Sequence, residues 1–532
     1  MPTASDANKA QVEPITYIPF DCIDFLEDVS RYNPGGFHPV HLGDVLDTRF
    51  EVVHKLGHGG FGVVWLCREV QTSRWRAVKI LAADSSPGSE SAPGVEEGAE
   101  GDGEGSARAW GDLKTTQHLK ARTSTFEEIV ESHIAFADEV FWIEGPNGRH
   151  LCLVMEVFGE AVNAWCLSLE PTDPKTLVAV KNVCRQITLG LQFLHNHGIC
   201  HGDLRPSNVL MRLGGLDELS KEELITLVGE PNCFEVMTSK DSSCMTEEEK
   251  EQVQTRAPRY CVQPAPYKFR PLYTGSVAIV DFGEAFHVEA PRRTTGIPIT
   301  FSAPENLLGV GTSFGSDIWS LACTIYELRT VKDLFGELPD FSGRHTASNV
   351  VSAWKLFLGP LVDPYKTIWR SQFVNVSSSG ADGGGSSGKS WEDEERSRRL
   401  KDSEYSDILE ADLGSERMRW RRGPDGSLKE RFKYRYSRDE VVQLADLLRK
   451  MWRYDPDARL GLDAILDHPW LREPDNFSPL SSIRSWLAMI WGSIRFRYAL
   501  AGVTVTLAYL LRSSRARVLL RRAVLSWTRW LR

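Results

Sequence analysis

The sequence predicts an α+β fold in which a small antiparallel β lobe is followed by a larger helical lobe. Short β-branched runs broken by glycine or polar residues come first, as in RFEVVHKLG, GVVWLCREV, RWRAVKIL and HLCLVMEVFG, and this is the pattern of an antiparallel meander. From about Thr176 onward apolar residues recur at helical spacing, in LVAVKNVCRQITLGLQFLHNHG and later in DEVVQLADLLRKMW. Gly198 is expected to end the first of these helices.

The composition indicates a globular protein in a reducing compartment. With 532 residues and a hydrophobic fraction of 42%, the chain can bury a large core, which argues against global disorder. The ten cysteines are scattered without CxxC spacing, so we expect free thiols instead of disulfides or a zinc site. The polar N-terminus MPTASDANKAQVEP lacks a signal-peptide pattern, so we expect a cytoplasmic or nuclear location.

Charge is distributed unevenly along the chain. The net charge is −10, but residues 476–532 contain ten Arg and no Lys, Asp or Glu. The first 475 residues therefore carry 52 basic against 72 acidic side chains. An acidic body suits basic protein partners and a basic tail suits anionic ones, although an acidic body is also what ordinary solubility requires.

Composition divides the chain into segments. We expect an N-terminal extension at 1–40, the β lobe at 41–160, the helical lobe at 161–475 and a basic, hydrophobic tail at 476–532. Asp84–Ala107 is acidic and rich in Gly and Ser, which predicts a disordered insert in the β lobe. The helical lobe contains two further inserts, 211–276 and 371–437, and the second includes the Gly/Ser spacer 376–390.

The first insert of the helical lobe contains one helical pattern, LDELSKEELITLVGEP, with an apolar stripe between charged residues. We expect a surface helix packed on the larger lobe. The alternative is a docking or localisation spacer.

A glycine-rich stretch, LGHGGFGVVW, lies within the predicted β lobe. Its Gly57, Gly59 and Gly62 let the backbone close over phosphates and present N–H groups to their oxygens. The stretch sits inside a predicted hairpin and does not open a helix, so it differs from the dinucleotide-binding motif. Lys79, on the following strand RAVKIL, occupies a position suited to contact the same phosphates.

Two later motifs supply carboxylate and amide groups. HGICHGDLRPSNVL places Asp203 and Asn208 on a short loop, and AIVDFGEAF places Asp281 at the end of an apolar strand. Such oxygen ligands suit Mg²⁺, a hard cation.

Taken in order, these motifs resemble those of protein kinases, whose catalytic loop usually reads His-Arg-Asp-Leu-Lys-x-x-Asn. The resemblance implies the bilobal kinase fold. It implies that Asp203 orients or deprotonates the substrate hydroxyl with Arg205 beside it, and that Asn208 and Asp281 bind Mg²⁺. It also implies that Lys79 contacts the α- and β-phosphates of ATP.

Three further residues complete the resemblance. Glu305, in FSAPENLL, and Arg459, in RYDPDARL, correspond to a buried ion pair under the activation segment of kinases. Asp317, in SDIWSLAC, corresponds to a residue that supports the catalytic-loop backbone.

Within the kinases, the chain resembles the SR-protein kinase family over roughly residues 30–475. RYNPGGFHPV matches the Tyr-x-x-Gly-Gly-Tyr-His-Pro-Val start of that family, and HGDLRPSN, the long first insert and LGPLVDPY fit its fungal-type branch. The resemblance implies a monomeric enzyme that uses ATP and Mg²⁺ to phosphorylate serines, often in Arg/Ser-rich proteins. The implied ATP-binding residues, with Met155 as gatekeeper and 156–158 as hinge, are Gly57, His58, Gly59, Gly60, Phe61, Gly62, Val63, Val64, Ala77, Lys79, Asp112, Met155, Glu156, Val157 and Phe158.

Three positions depart from the kinase pattern. Arg205 replaces a lysine but keeps its charge. Asp112 is aligned with the glutamate that normally pairs with Lys79, and because Asp is one methylene shorter, the pair requires the helix to lie about 1–1.5 Å closer. These departures leave an active serine/threonine kinase as the favoured interpretation. The alternative is a pseudokinase scaffold that binds ATP without efficient transfer.

The third departure, Gly202, replaces the arginine that in many kinases pairs with a phosphate on the activation segment. Without that cation there is nothing for a phosphate to neutralise. We therefore expect the segment to need no phosphorylation and to be held by packing around Phe286 and Ile297.

The basic tail allows three interpretations. Residues 498–511 form an uncharged run of fourteen, short of the ~20 residues needed to span a bilayer. The tail could form helices packed on the kinase domain, contact anionic membranes through residues 480–532, or contact nucleic acid through its arginines. Direct sequence-specific binding of nucleic acid is not expected.

Overall fold

The computed structural model describes residues 26–86, 104–122, 131–238, 245–265, 269–336, 346–374, 406–422 and 428–472. The chain divides into two compact units, 1–471 and 472–532. The predictions for the tail and for the spacer 376–390 concern residues outside the described part. No helix within the described ranges is both long and apolar enough to cross a bilayer.

The small lobe is a six-stranded sheet in which every neighbouring pair is antiparallel, so the predicted meander is confirmed. Its strands are β1 (Val45–Leu46), β2 (Phe50–Gly59), β3 (Gly62–Glu69), β4 (Trp75–Leu81), β5 (Glu139–Gly145) and β6 (Gly148–Met155), in the order β1-β2-β3-β4-β6-β5. Helix α1 (Glu104–Lys120) lies between β4 and β5. The predicted disordered loop Asp84–Ala107 is wrong at both ends, because Ser85 and Ser86 are buried and α1 begins at Glu104. Residues 87–103 lie outside the described part.

The larger lobe is mainly helical, as predicted. Its helices are α2 (Val162–Leu167), α3 (Pro174–Asn196), α4 (Lys221–Val228), α5 (Glu247–Arg256), α6 (Pro304–Leu307), α7 (Phe314–Thr330), α8 (Ala347–Leu358), α9 (Tyr365–Trp369), α10 (Ile408–Gly414), α11 (Arg438–Met451) and α12 (Leu462–Leu466). Its short strands are β7 (Phe158–Ala161), β8 (Ile199–Cys200), β9 (Val209–Leu213), β10 (Cys233–Glu235), β11 (Tyr260–Val262), β12 (Tyr273–Ile279), β13 (Phe286–His287), β14 (Arg417–Arg422) and β15 (Leu428–Tyr434).

Helix α3 shows how local sequence sets an element of the larger lobe. The Asp173 carboxylate accepts a hydrogen bond from the Lys175 backbone N–H, and Pro174 occupies the first helical position, where its missing donor costs nothing. The helix ends just before Gly198, whose φ of +78° is readily adopted by glycine. Its apolar face packs into a core in which the rings of Trp319 and Trp354 lie 5.4 Å apart.

Helix α4 of the first insert packs on the small lobe, so the prediction that it packs on the larger lobe is wrong. Its own start is well specified, because Ser220 forms a reciprocal capping box with Glu223. Leu224 and Val228 on its apolar face share a buried cluster with Leu66 on β3.

Polar contacts also attach the first insert to the small lobe. The Trp75 backbone N–H donates to the Asp217 carboxylate (2.7 Å), and the Trp75 indole N–H donates to the Leu219 carbonyl (3.0 Å). Trp75 itself is 2% exposed. The first insert, which begins and ends in the larger lobe, therefore covers one face of the small-lobe sheet. No local sequence pattern indicates this arrangement.

The N-terminal extension contributes a buried ion pair to the small lobe. Lys55 on β2 contacts Glu27, and the two side chains are 0% and 1% exposed. The Tyr32 hydroxyl donates to Glu27 Oε1 at 2.9 Å. Burial lowers the pKa of Lys55, and the charge of Glu27 opposes that shift. Glu27 therefore provides the counter-charge that keeps a buried lysine ionised.

We expect Glu27→Ala to lower the free energy of unfolding by about 3–5 kcal/mol, because it leaves Lys55 buried and unpaired. Urea denaturation followed by circular dichroism measures this. The matched control is Glu139→Ala, which breaks the half-exposed pair with Arg49 (3.1 Å) and should cost about 0.5 kcal/mol. Equal effects from the two variants would contradict the assignment.

Candidate active site

The predicted catalytic residues meet on the loop between β8 and β9. Asn208 Nδ2 donates to both the carbonyl oxygen and Oδ2 of Asp203, each at 2.8 Å. Arg205 Nε lies 3.3 Å from Asp203 Oδ1. This Oδ1 is buried, and no group of the described residues donates a hydrogen bond to it. It is therefore the atom available to a substrate hydroxyl.

The environment of Asp203 makes its carboxylate more basic. Burial raises its pKa above the usual range, while the charges of Arg205 and His201 and the hydrogen bond from Asn208 oppose the shift. A raised pKa favours uptake of a proton from a hydroxyl.

Asp317 supports the catalytic loop from α7, as predicted. Its carboxylate accepts hydrogen bonds from the backbone N–H groups of His201 (2.8 Å) and Gly202 (3.0 Å), and it lies 2.9 Å from His195 Nε2. Burial alone would raise its pKa, but the contacts with His195 and His201 and the hydrogen bond from the Gly202 N–H together outweigh burial and lower it. Asp317 thus remains ionised and holds the loop backbone that carries Asp203.

Gly202 occupies a position that the backbone geometry restricts to glycine. Its φ is +77°, and a Cβ atom there would lie 2.6 Å from the carbonyl oxygen of Glu284. The sequence indicated only that an arginine was lost. The structure adds that the loop passes too close to the activation segment for any side chain.

Asp281 and Lys79 form an ion pair at the mouth of the same site, with Nζ 3.2 Å from Oδ1. The charge of Lys79 lowers the pKa of Asp281, whose side chain is 46% exposed. Asp112 lies on α1 one turn before Thr116, which lines the nucleotide cavity. The Asp112 side chain is outside the described part, so its pairing with Lys79 stays a prediction.

A cavity of about 600 Å³ lies beneath the β2–β3 hairpin. The predicted residues that line it are Gly57, His58, Gly59, Phe61, Gly62, Val64, Ala77, Lys79, Met155, Glu156, Phe158, Asn208 and Asp281. Gly60 instead lines a smaller adjoining cavity, together with Asp203 and Arg205. This places the predicted catalytic residues directly beside the predicted nucleotide pocket.

Apart from Asp112, whose side chain is outside the described part, two predicted nucleotide-binding residues line neither cavity. Val63 is 3% exposed and packs in the small-lobe core, because successive strand residues face opposite sides of the sheet. Val157 is 3% exposed and packs in the cluster formed with the first insert. Their side chains line neither cavity, and their assignment as ATP-binding residues stays a prediction.

Sequence reasoning missed two lining residues from the first insert, Ala265 and Phe269. They lie more than two hundred residues after the LGHGGFG stretch, in a segment without a recognisable motif. No local pattern could have placed them there.

The activation segment is held by polar contacts as well as by packing. Phe286 and Ile297 are 8% and 7% exposed, which agrees with the prediction. Glu284 Oε2 also accepts hydrogen bonds from Arg292 Nη1 (3.1 Å) and the Gly296 N–H (3.0 Å). The Thr295 hydroxyl donates to the Gly202 carbonyl at 2.8 Å. A carboxylate and a hydroxyl of the chain itself therefore tie the segment to the catalytic loop.

The predicted Glu305–Arg459 pair is present and bidentate. Arg459 Nη1 and Nη2 lie 2.6 and 2.7 Å from the two carboxylate oxygens, and both side chains are buried. This geometry joins the end of the activation segment to the base of the larger lobe.

The sequence pattern described as "Protein kinase domain" matches residues 50–216 and 272–471. The chain belongs to the protein kinase family. The unmatched interval, 217–271, lies in the first insert.

Several curated kinases are similar to this chain. Human "SRSF protein kinase 3" is 31% identical over 189 residues, which is 35% of this chain and 30% of that protein. "Serine/threonine-protein kinase SKY1" of Saccharomyces cerevisiae is 32% identical over 194 residues, 36% of this chain and 24% of that one. "Serine/threonine-protein kinase SRPK" of Physarum polycephalum is 26% identical over 469 residues, 86% of this chain and 93% of that one. The predicted similarity to SR-protein kinases is confirmed.

We expect Gly202→Ala to lower the free energy of unfolding by about 3 kcal/mol, because it adds both left-handed strain and an overlap with Glu284. Gly43→Ala is the matched control, since Gly43 has a φ of +87° with nothing within 4 Å of its Cβ position. It should cost about 1 kcal/mol. Urea denaturation compares the two, and equal losses would show that the close approach to Glu284 has no energetic effect.

Proposed function

We propose that this kinase transfers the γ-phosphoryl group of Mg·ATP to serine residues of Arg/Ser-rich protein substrates. The observation that carries the proposal is the convergence of Asp203, Asn208, Asp281 and Lys79 at adjoining cavities under a glycine-rich hairpin. The similarity to SR-protein kinases supports the choice of substrate, as does the acidic charge of residues 1–475.

The residues present fit Mg²⁺ and ATP. Asn208 uses its amide nitrogen in both of its hydrogen bonds to Asp203, which leaves its oxygen for a metal, and the Asp281 carboxylate supplies a second oxygen ligand. When bound, Mg²⁺ neutralises charge on the phosphates.

The chain's own groups would then perform the transfer. Asp203 Oδ1 accepts the hydrogen bond of the substrate hydroxyl and takes its proton, while Asn208 and Arg205 hold the carboxylate in place. Lys79 contacts the phosphates and keeps Asp281 ionised. The glycine-rich hairpin covers the nucleotide and limits access of water. Neither Arg205 nor Gly202 removes any of these roles, which favours an enzyme over a scaffold.

We expect Asp203→Asn to reduce phosphate transfer to an Arg/Ser-repeat peptide at least about a hundredfold, because the general base is lost. Transfer from radiolabelled Mg·ATP by the full chain measures this. Asp439→Asn, at an exposed carboxylate in the first turn of α11, is the matched control and should retain full activity. A peptide with Ala in place of Arg should be a poorer substrate. Wild-type protein that binds Mg·ATP without transfer would support the scaffold instead.

We expect phosphatase treatment to leave activity within about threefold of the untreated enzyme, because the chain's own groups order the activation segment. The candidate phosphorylation sites of the activation segment are Thr294, Thr295 and Thr300. Thr300 is buried and Thr294 is exposed. Thr294→Ala therefore tests the exposed site, and it should leave activity unchanged. Thr295→Val should lower activity, because it removes the hydrogen bond to Gly202. A loss above about tenfold, ~1.4 kcal/mol of barrier, on dephosphorylation alone would contradict the prediction.

A further inference from the structure

The first insert forms part of the wall of the nucleotide cavity. Ala265 and Phe269 line that cavity together with Leu56, Ala77 and Met155 of the small lobe. Phe269 is 3% exposed, and it belongs to the buried cluster that also contains Ala77. An aromatic ring from outside the region matched to the kinase domain thus packs beside the residues predicted to contact the base of ATP.

The wall segment is attached to β2, the strand that leads into the glycine-rich hairpin. The Ala265 backbone N–H donates to the Lys55 carbonyl at 2.7 Å. Lys55 immediately precedes Leu56, the first residue of the LGHGGFG stretch. The position of the insert is therefore tied to the position of the strand above the cavity.

The same segment is attached to the hinge on its other side. Arg270 donates two hydrogen bonds to the buried Glu160 carboxylate, from Nε (2.7 Å) and Nη2 (3.0 Å). The Glu160 N–H donates to the Tyr273 hydroxyl at 3.2 Å. A Cβ atom at Gly159 would overlap the Tyr273 ring. A bidentate pair and a close ring contact on strand β7 therefore hold Phe269 next to the hinge.

We propose that Phe269 is a nucleotide-binding residue that sets the affinity of the pocket for the adenine end of the nucleotide. The inference rests on the proposed function, because the cavity must hold ATP. The ring supplies apolar surface to the cavity and separates it from the interior of the insert. Replacing it with a small side chain leaves a gap in the wall, so that the bound base loses apolar contact.

Leu224 provides a matched control for the loss of packing that Phe269→Ala also causes. Leu224 is fully buried in the same cluster, on α4 of the same insert, but it does not line the cavity. Leu224→Ala therefore weakens the packing of the insert without opening the nucleotide pocket. Phe269→Leu retains part of the apolar surface and should retain part of the affinity.

Isothermal titration calorimetry of the full chain with Mg·ATP, ADP and adenosine tests the proposal. We expect Phe269→Ala to weaken all three by a similar factor of about ten, since the wall faces the base and not the phosphates. Phe269→Leu should give an intermediate loss and Leu224→Ala a loss below twofold, although both alanine variants lower the melting temperature.

Four results overturn the inference, and they do so in distinguishable ways. Unchanged affinity of Phe269→Ala, or an equal loss in Leu224→Ala, refutes the role of Phe269 while the proposed function stands. A loss confined to Mg·ATP would assign the effect to the phosphate side and refute a base-facing wall. Wild-type protein that binds none of the three ligands refutes the proposed function itself, and the inference with it.

Discussion

The active site depends on the buried Asp317 carboxylate. It is 2% exposed and satisfies two backbone N–H groups of the catalytic loop as well as the His195 ring. Buried backbone donors without partners are costly, so the loop conformation that carries Asp203 depends on the acceptor oxygens of Asp317. Helix α3, helix α7 and the catalytic loop are joined through this one carboxylate.

Gly202 connects Asp317 to the activation segment by hydrogen bonds. The Gly202 N–H is held by Asp317, its carbonyl oxygen accepts the Thr295 hydroxyl, and its α-carbon lies against the Glu284 backbone. Glu284 in turn accepts Arg292 and the Gly296 N–H. A phosphate bound by an arginine at this position would join the same two segments. Here neutral and carboxylate groups of the chain form that connection, and the substitution of glycine is what makes the close approach possible.

The first insert makes the two lobes structurally dependent on each other. It leaves the larger lobe after β9 and returns in β12, yet its buried residues complete small-lobe clusters, with Val262 packed near Phe37 and Leu224 near Leu66. Trp75, on a central strand, finds its hydrogen-bond partners in the insert. The small-lobe sheet is therefore covered on this face by a segment that follows the catalytic loop in sequence, and the same segment reaches the nucleotide cavity.

The sequence by itself determined the two-lobed architecture, the antiparallel meander and most of the catalytic set, because these depend on local periodicity, glycine placement and short motifs. Asp203, Asn208, Asp281, Asp317 and the Glu305–Arg459 pair could all be located in this way. Tertiary structure alone decided that the Val63 and Val157 side chains do not line the cavity, that α4 packs on the small lobe, and that Phe269 lines the nucleotide pocket. It also showed why position 202 requires glycine. The physical reason is common to all four, because each depends on contacts with residues that are distant in the sequence. An apolar stripe predicts that one face of an element is buried, but it does not identify the surface on which that face packs.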